Sequence, residues 1–145
     1  MFSTILIASD GSDLAGKAVE HGLALASVLK SSVVAVTVTE PWMSVAPGEM
    51  AIGFPVEEYD RAVAERALAI LNKIEVRAHE LGVPCATVHA RDLYPAEGIL
   101  KVAREESCTL IVMASHGRRG LASLFLGSQT NKVLVQSPIP ALVCR

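Results

Sequence analysis

Apolar residues along this chain switch repeatedly between two spacings. Residues 4–9 (TILIAS), 33–39 (VVAVTVT) and Leu110–Ala114 (LIVMA) are continuous apolar or β-branched runs, the pattern of strands covered on both faces of a parallel sheet. Residues 86–91 (ATVHAR) alternate more and read as a strand nearer the sheet edge, while 140–144 read as a short last strand. Between the strands the spacing becomes helical. After the turn at Asp10, Gly11, Ser12 and Asp13, rich in helix-capping side chains, Leu14, Ala18, His21, Leu25 and Leu29 recur up to Lys30. A second helix is predicted over about 56–81, with Tyr59, Val63, Ala67, Ile70, Ile74 and Ala78 on its inward stripe and Arg66 among the charged residues elsewhere. Gly82 and Pro84 stop it. Pro95 opens a third helix through Glu106, and a fourth covers about 128–136.

Strands separated by helices dictate an α/β chain with a mainly parallel sheet and right-handed crossovers. At 145 residues it is expected to form one domain over 1–145. Residues 40–55 hold three prolines and two glycines without clean periodicity, so a long loop is expected there. Within it Trp42, Met43 and Met50 either cover a ligand or pack over the sheet edge.

Charge and cysteine content narrow the partners. A net charge of -2, from 13 basic and 15 acidic residues, gives no broad field for gripping nucleic acid or an anionic membrane. Cys85, Cys108 and Cys144 form no CxxC pair and fit a reducing compartment better than a disulfide framework. The N-terminal stretch lacks a basic segment and meets Asp10 too early for a signal peptide. No apolar run reaches the ~18 to 20 residues of a membrane span. A cytoplasmic protein without membrane insertion is the expectation.

The stretch 113–128 (MASHGRRGLASLFLGS) begins where the most apolar run ends and sets Gly117, Gly120 and Gly127 among small, hydroxyl and cationic residues. Glycines between a strand and a helix offer backbone N–H groups to an anion at the carboxyl end of a parallel sheet. If strands one and four are neighbours, Ala8, Ser9 and Asp10 face Ala114, Ser115 and Gly117 across a crevice. The Asp10 carboxylate there either accepts hydrogen bonds from ribose hydroxyls or caps the first helix. Exposed backbone at Val38 or Thr39 suits an adenine edge. Phosphates are expected at the amides of Gly117, Gly127, Ser128 and Gln129, assisted by the hydroxyls of Ser128 and Thr130 and by Arg118 or Arg119.

The run ASHGRRGLASLFLGS over 114–128, with ILIASDGS near the start and PIPALVCR at the end, resembles the universal stress protein family across essentially the whole chain. Nucleotide-binding members carry glycine, two residues, glycine, nine residues, then glycine and serine or threonine. Gly117, Gly127 and Ser128 match that spacing, while Ala114 stands in place of the first glycine and projects a methyl group. The resemblance implies a three-layer α/β/α fold of the adenine nucleotide alpha hydrolase-like kind, with five strands ordered 3-2-1-4-5. It implies ATP as ligand, with or without magnesium, and AMP or cyclic AMP as alternatives. Ala8, Ser9 and Asp10 would border the adenosine, Val38 would meet adenine through its backbone, and Met113 would line the pocket. It also implies a homodimer through the last strand, Ala141 to Cys144, an apolar edge of the kind that is normally covered or paired.

Binding ATP differs from hydrolysing it. The sequence carries no P-loop lysine motif and no metal-ligand cluster, and His116 is the one titratable side chain near the loop that could act as a base. Three readings remain open: a nucleotide-responsive stress or signalling module, a slow ATPase on the same site, and a dimeric scaffold that binds no nucleotide.

Overall fold

The computed structural model describes residues 1–46, 48, 53, 55–118 and 125–145. Five strands, β1 (Thr4–Ala8), β2 (Ser32–Thr39), β3 (Cys85–Arg91), β4 (Leu110–Ala114) and β5 (Ala141–Cys144), lie in the order β3-β2-β1-β4-β5. Every neighbouring pair is parallel. The described residues form the helices α1 (Asp13–Leu29), α2 (Trp42–Val45), α3 (Val56–Glu80), α4 (Pro95–Glu105) and α5 (Ser128–Gln136). The α/β class and the 3-2-1-4-5 order are therefore the observed ones, and β3, the strand with the alternating pattern, is an edge.

Helices cover both faces, which is why the strands read as unbroken apolar runs. On one face Ile5, Ile7, Val33 and Val112 pack against Leu23 of α1 and Leu71 and Ile74 of α3. On the other, Leu6, Val36 and Ile111 pack against Ile99 and Val102 of α4 and Val133 of α5. Each such side chain contributes about 1.5 to 3 kcal/mol by leaving water. Among the described residues, no helix is long and apolar enough to cross a membrane.

Chain order and sheet order part company at β1. The chain runs outward from β1 through β2 to β3, then returns to place β4 on the other side of β1. Crossovers that leave in opposite directions open a crevice above the carboxyl ends of β1 and β4, where open α/β sheets take their ligands.

Where the pattern predicts a loop over 40–55, the described residues include a helical turn, α2, closed by the Ala46 amide donating to Trp42 O at 2.9 Å. Four residues are too few to show a helical period, so the turn leaves no sequence signal. Trp42 packs on Tyr59 of α3, with ring centroids 4.9 Å apart. The Oγ of Ser44 donates to Tyr94 Oη at 3.4 Å, and Tyr59 Oη donates to Glu40 O at 2.8 Å. Met43 is exposed, and Met50 lies outside the described residues.

Gly98 of α4 is a close-approach position. A Cβ built there would stand 2.6 Å from both methyl groups of Val38 at the end of β2, and a β-branched side chain cannot rotate both away. Alanine improves helix propensity by about 1 kcal/mol, whereas overpacking costs about 1 to 3 kcal/mol. Gly98→Ala is expected to lower stability by about 1 kcal/mol net in urea unfolding; an unchanged or raised midpoint would show that α4 can shift freely.

Candidate functional site

The carboxyl ends of β1, β2 and β4 open into a cavity of about 720 Å³, within the range of small-molecule sites. Ala8, Ser9 and Asp10 enter it from β1, Val38 from β2, and Met113 and Ala114 from β4. Gly117, Arg118 and Gly127 form the glycine-loop side, and Ser128, Gln129 and Thr130 the start of α5. Ser115 is not brought to the cavity: its side chain meets His116 Nδ1 at 3.0 Å. Gly120, like Arg119, lies outside the described residues.

Asp10 joins the two loops of the crevice. Its Oδ1 accepts from the Ser12 amide at 3.0 Å and its Oδ2 from the Arg118 amide at 2.7 Å. The cap of α1 is Ser12, whose Oγ accepts from the Ala15 amide at 3.2 Å, so Asp10 is not the capping residue. The Arg118 guanidinium reaches back, with Nε 2.8 Å from Asp10 O and Nη2 donating to the same oxygen. A Cβ on Gly117 would stand 2.9 Å from Asp10 Oδ2, so a side chain there would push the Asp10 carboxylate aside.

The root of the glycine loop is pinned by main-chain bonds. The Gly127 amide donates to Ser115 O at 2.9 Å, and Thr130 Oγ1 lies 3.1 and 3.0 Å from the carbonyl oxygens of Ala114 and Ser115. The Ser115 amide donates to Cys144 O of β5 at 2.8 Å. His116 Nε2 donates to Phe125 O while Nδ1 faces Ser115 Oγ. Three roles expected from the sequence change accordingly. The Gly127 amide and the Thr130 hydroxyl serve the loop root, and both ring nitrogens of His116 are engaged there.

Free donors begin one residue later. The cap position of α5 is Gly127, without a side-chain cap, and the amides of Ser128 and Gln129 meet no acceptor among the described residues. An uncapped first turn carries partial positive charge toward whatever faces it. Among the described residues no three His, Cys, Asp or Glu side chains gather in one place.

His89 and the three cysteines, whose titration is shifted, lie outside the cavity lining. Burial, reinforced by Arg91, pulls His89 below the ordinary histidine value, with its Nε2 2.8 Å from Thr39 Oγ1. Burial and Glu106 push the Cys108 thiol up to about 11, and burial raises Cys85 and Cys144 as well. All three therefore hold their protons at neutral pH, as packed thiols do.

Residues 1–145 match the family model described as the Universal stress protein family. The chain belongs to that family. Over 146 residues it is 36% identical to the "Universal stress protein in QAH/OAS sulfhydrylase 3'region" of Thermus aquaticus, covering 100% of both chains. Among solved structures it is similar to the Methanocaldococcus jannaschii protein MJ0577, with TM-score 0.84, 27% identity, and 99% of this chain and 96% of that one covered. Two others share the fold. One is a universal stress protein in complex with cAMP (TM-score 0.69, 21% identity, 98% and 95% covered). The other, from Archaeoglobus fulgidus, is in complex with dAMP (TM-score 0.66, 18% identity, 100% and 98% covered).

This universal stress protein also lines its cavity with residues that the sequence reading assigned elsewhere. Tyr59, Val63, Arg66 and Ile70 of α3 form one wall, and Thr37 and Tyr94 contribute at the β2 and α4 ends. Helical spacing alone puts Tyr59, Val63 and Ile70 on the core stripe and Arg66 elsewhere on the helix. A length mismatch held the signal. With 25 residues α3 is about 37 Å long, against about 26 Å for the 8 residues of β2, so its first turns overhang the strand ends.

Gln129 has a role that spacing alone did not show. Its Oε1 accepts from the buried Ala96 amide at 3.0 Å, capping α4, whose own cap residue Tyr94 makes no side-chain bond to the helix start. Gln129→Ala is expected to cost about 1 to 2 kcal/mol by leaving that amide unpaired. Gln129→Glu keeps the acceptor and adds negative charge at a helix start, so it should hold stability. Equal losses in chemical denaturation would show that the cap is not the operative contact.

Proposed function

We propose that this universal stress protein binds an adenine nucleotide, ATP foremost, in the crevice above β1, β2 and β4, and acts as a nucleotide-responsive stress or signalling module. The observation that carries the reading is the uncapped start of α5, with the Ser128 and Gln129 amides opening into the same cavity as the Asp10 carboxylate and the end of β2. Anion donors at one end and a carboxylate plus strand-end backbone at the other suit phosphate, ribose and adenine in that order. The complexes with cAMP and dAMP support the reading, because they place adenine nucleotides on proteins of this fold. The Ser128 hydroxyl and Arg118 add donors beside the amides. Ala114 puts a methyl where nucleotide-binding relatives have hydrogen, and the residue belongs both to the core cluster and to the cavity lining.

The same reading has the chain work as one domain over 1–145, in the cytoplasm, as a homodimer. The dimer is placed on β5, the outer strand beside β4, where Leu142 is 41% exposed and Val135 of α5 is 77% exposed. Such apolar edges invite pairing with a second copy.

Calorimetry and thermal shift with ATP, AMP and cyclic AMP test the ligand. A nucleotide at about 100 times its dissociation constant should add about 2.7 kcal/mol of stability, and no response at millimolar concentration would leave a scaffold without nucleotide as the better account. For the assembly, sedimentation of Leu142→Asp should show a monomer where the unmodified chain shows a dimer. A monomeric unmodified chain, or a dimeric variant, removes the β5 interface.

A further inference from the structure

We propose that Arg118 makes the crevice select adenine ligands by their phosphate: its guanidinium exchanges the main-chain oxygen of Asp10 for a ligand phosphate, so that the contact favours phosphorylated ligands and opposes unphosphorylated ones. This rests on the adenine-nucleotide reading above.

The contact has an unusual division of labour. The backbone of Arg118 is tied to Asp10 through its amide and Oδ2 at 2.7 Å, and Gly117 leaves the clearance for that approach. The side chain makes a second, separate bond: Nε and Nη2 converge on the single oxygen Asp10 O. Releasing the guanidinium therefore does not release the loop. A guanidinium fork is matched better by two anionic oxygens than by one neutral carbonyl, so a phosphate is the stronger partner. Arg118 is exposed, and its move from one acceptor to the other carries no cost of burying charge.

Position makes the exchange selective. Asp10, Arg118 and Ser128 line one cavity, and the guanidinium bond bridges the β1 and β4 loops at the point where the sheet order reverses. A ligand that enters beside Asp10 displaces this bond. A phosphate replaces the lost bond with a better one, whereas adenosine offers no anion and binds only to the fraction of molecules in which the bridge is open.

Calorimetry of adenosine, AMP and ATP with the unmodified chain, Arg118→Gln and Arg118→Lys tests this. In Arg118→Gln, ATP should bind about tenfold more weakly, as expected for losing a hydrogen bond to a charged group, while adenosine should bind about threefold more tightly once the bridge is gone. Arg118→Lys keeps the charge without the fork, and should gain adenosine affinity while losing less ATP affinity than the glutamine variant. Thermal unfolding of both variants controls for folding. Parallel changes for adenosine and ATP, or an adenosine affinity that does not rise, overturn the exchange and leave the adenine-nucleotide reading standing. An unmodified chain that binds none of the three overturns both.

Discussion

Main-chain oxygens at the carboxyl ends of buried parallel strands must find donors once the sheet ladder stops, and the upper half of this molecule is arranged around that requirement. Unpaired carbonyls in such a place would cost roughly 1 to 3 kcal/mol each. Thr37 Oγ1 donates to Ser9 O, Thr130 Oγ1 lies within bonding distance of Ala114 O and Ser115 O, and the Gly127 amide donates to Ser115 O. Arg118 supplies Asp10 O. Satisfying these oxygens pins the glycine loop to β4, aligns α5 with its first turn toward the cavity, and draws the β1 and β4 loops together.

Two consequences follow for the glycines. Gly117 and Gly127 match the spacing of nucleotide-binding relatives, yet each has a reason to be glycine within the chain's own packing. Asp10 Oδ2 would lie 2.9 Å from a Cβ at 117, and Ser115 O 3.1 Å from one at 127. Glycine spacing at such a loop thus reflects the tight folding of the loop root as well as room for a ligand. The amides left without an acceptor among the described residues are those of Ser128 and Gln129, just past the pinned root.

Much of the fold was legible because it rests on local patterns. The apolar runs at β1, β2 and β4 mark strands covered on both faces, the alternating pattern at β3 marks an edge, and Ser12, Gly82 and Pro95 punctuate helices where spacing predicts. The crevice was legible in outline, since a parallel sheet that reverses direction opens at its strand ends. The far wall was not, because Tyr59, Val63, Arg66 and Ile70 carry the same helical spacing whether they face a sheet or a cavity. Likewise α2 is too short for any period, and Gln129 caps a helix 33 residues away in sequence.

By itself, then, the amino-acid sequence determined the five strands, the four longer helices, their parallel arrangement and the family, all of which depend on side-chain period and short-range spacing. Tertiary structure alone decided that the Gly127 amide is spent on Ser115, that Asp10 bridges two loops instead of capping α1, and that Arg118 is bonded to the Asp10 carbonyl. Those are competitions between donors and acceptors far apart in the chain, such as residues 10 and 118, and distances in space settle them where spacing in sequence cannot. The stretch from Ala114 to Ser128 offers many donors on paper; the folded chain uses several of them on itself.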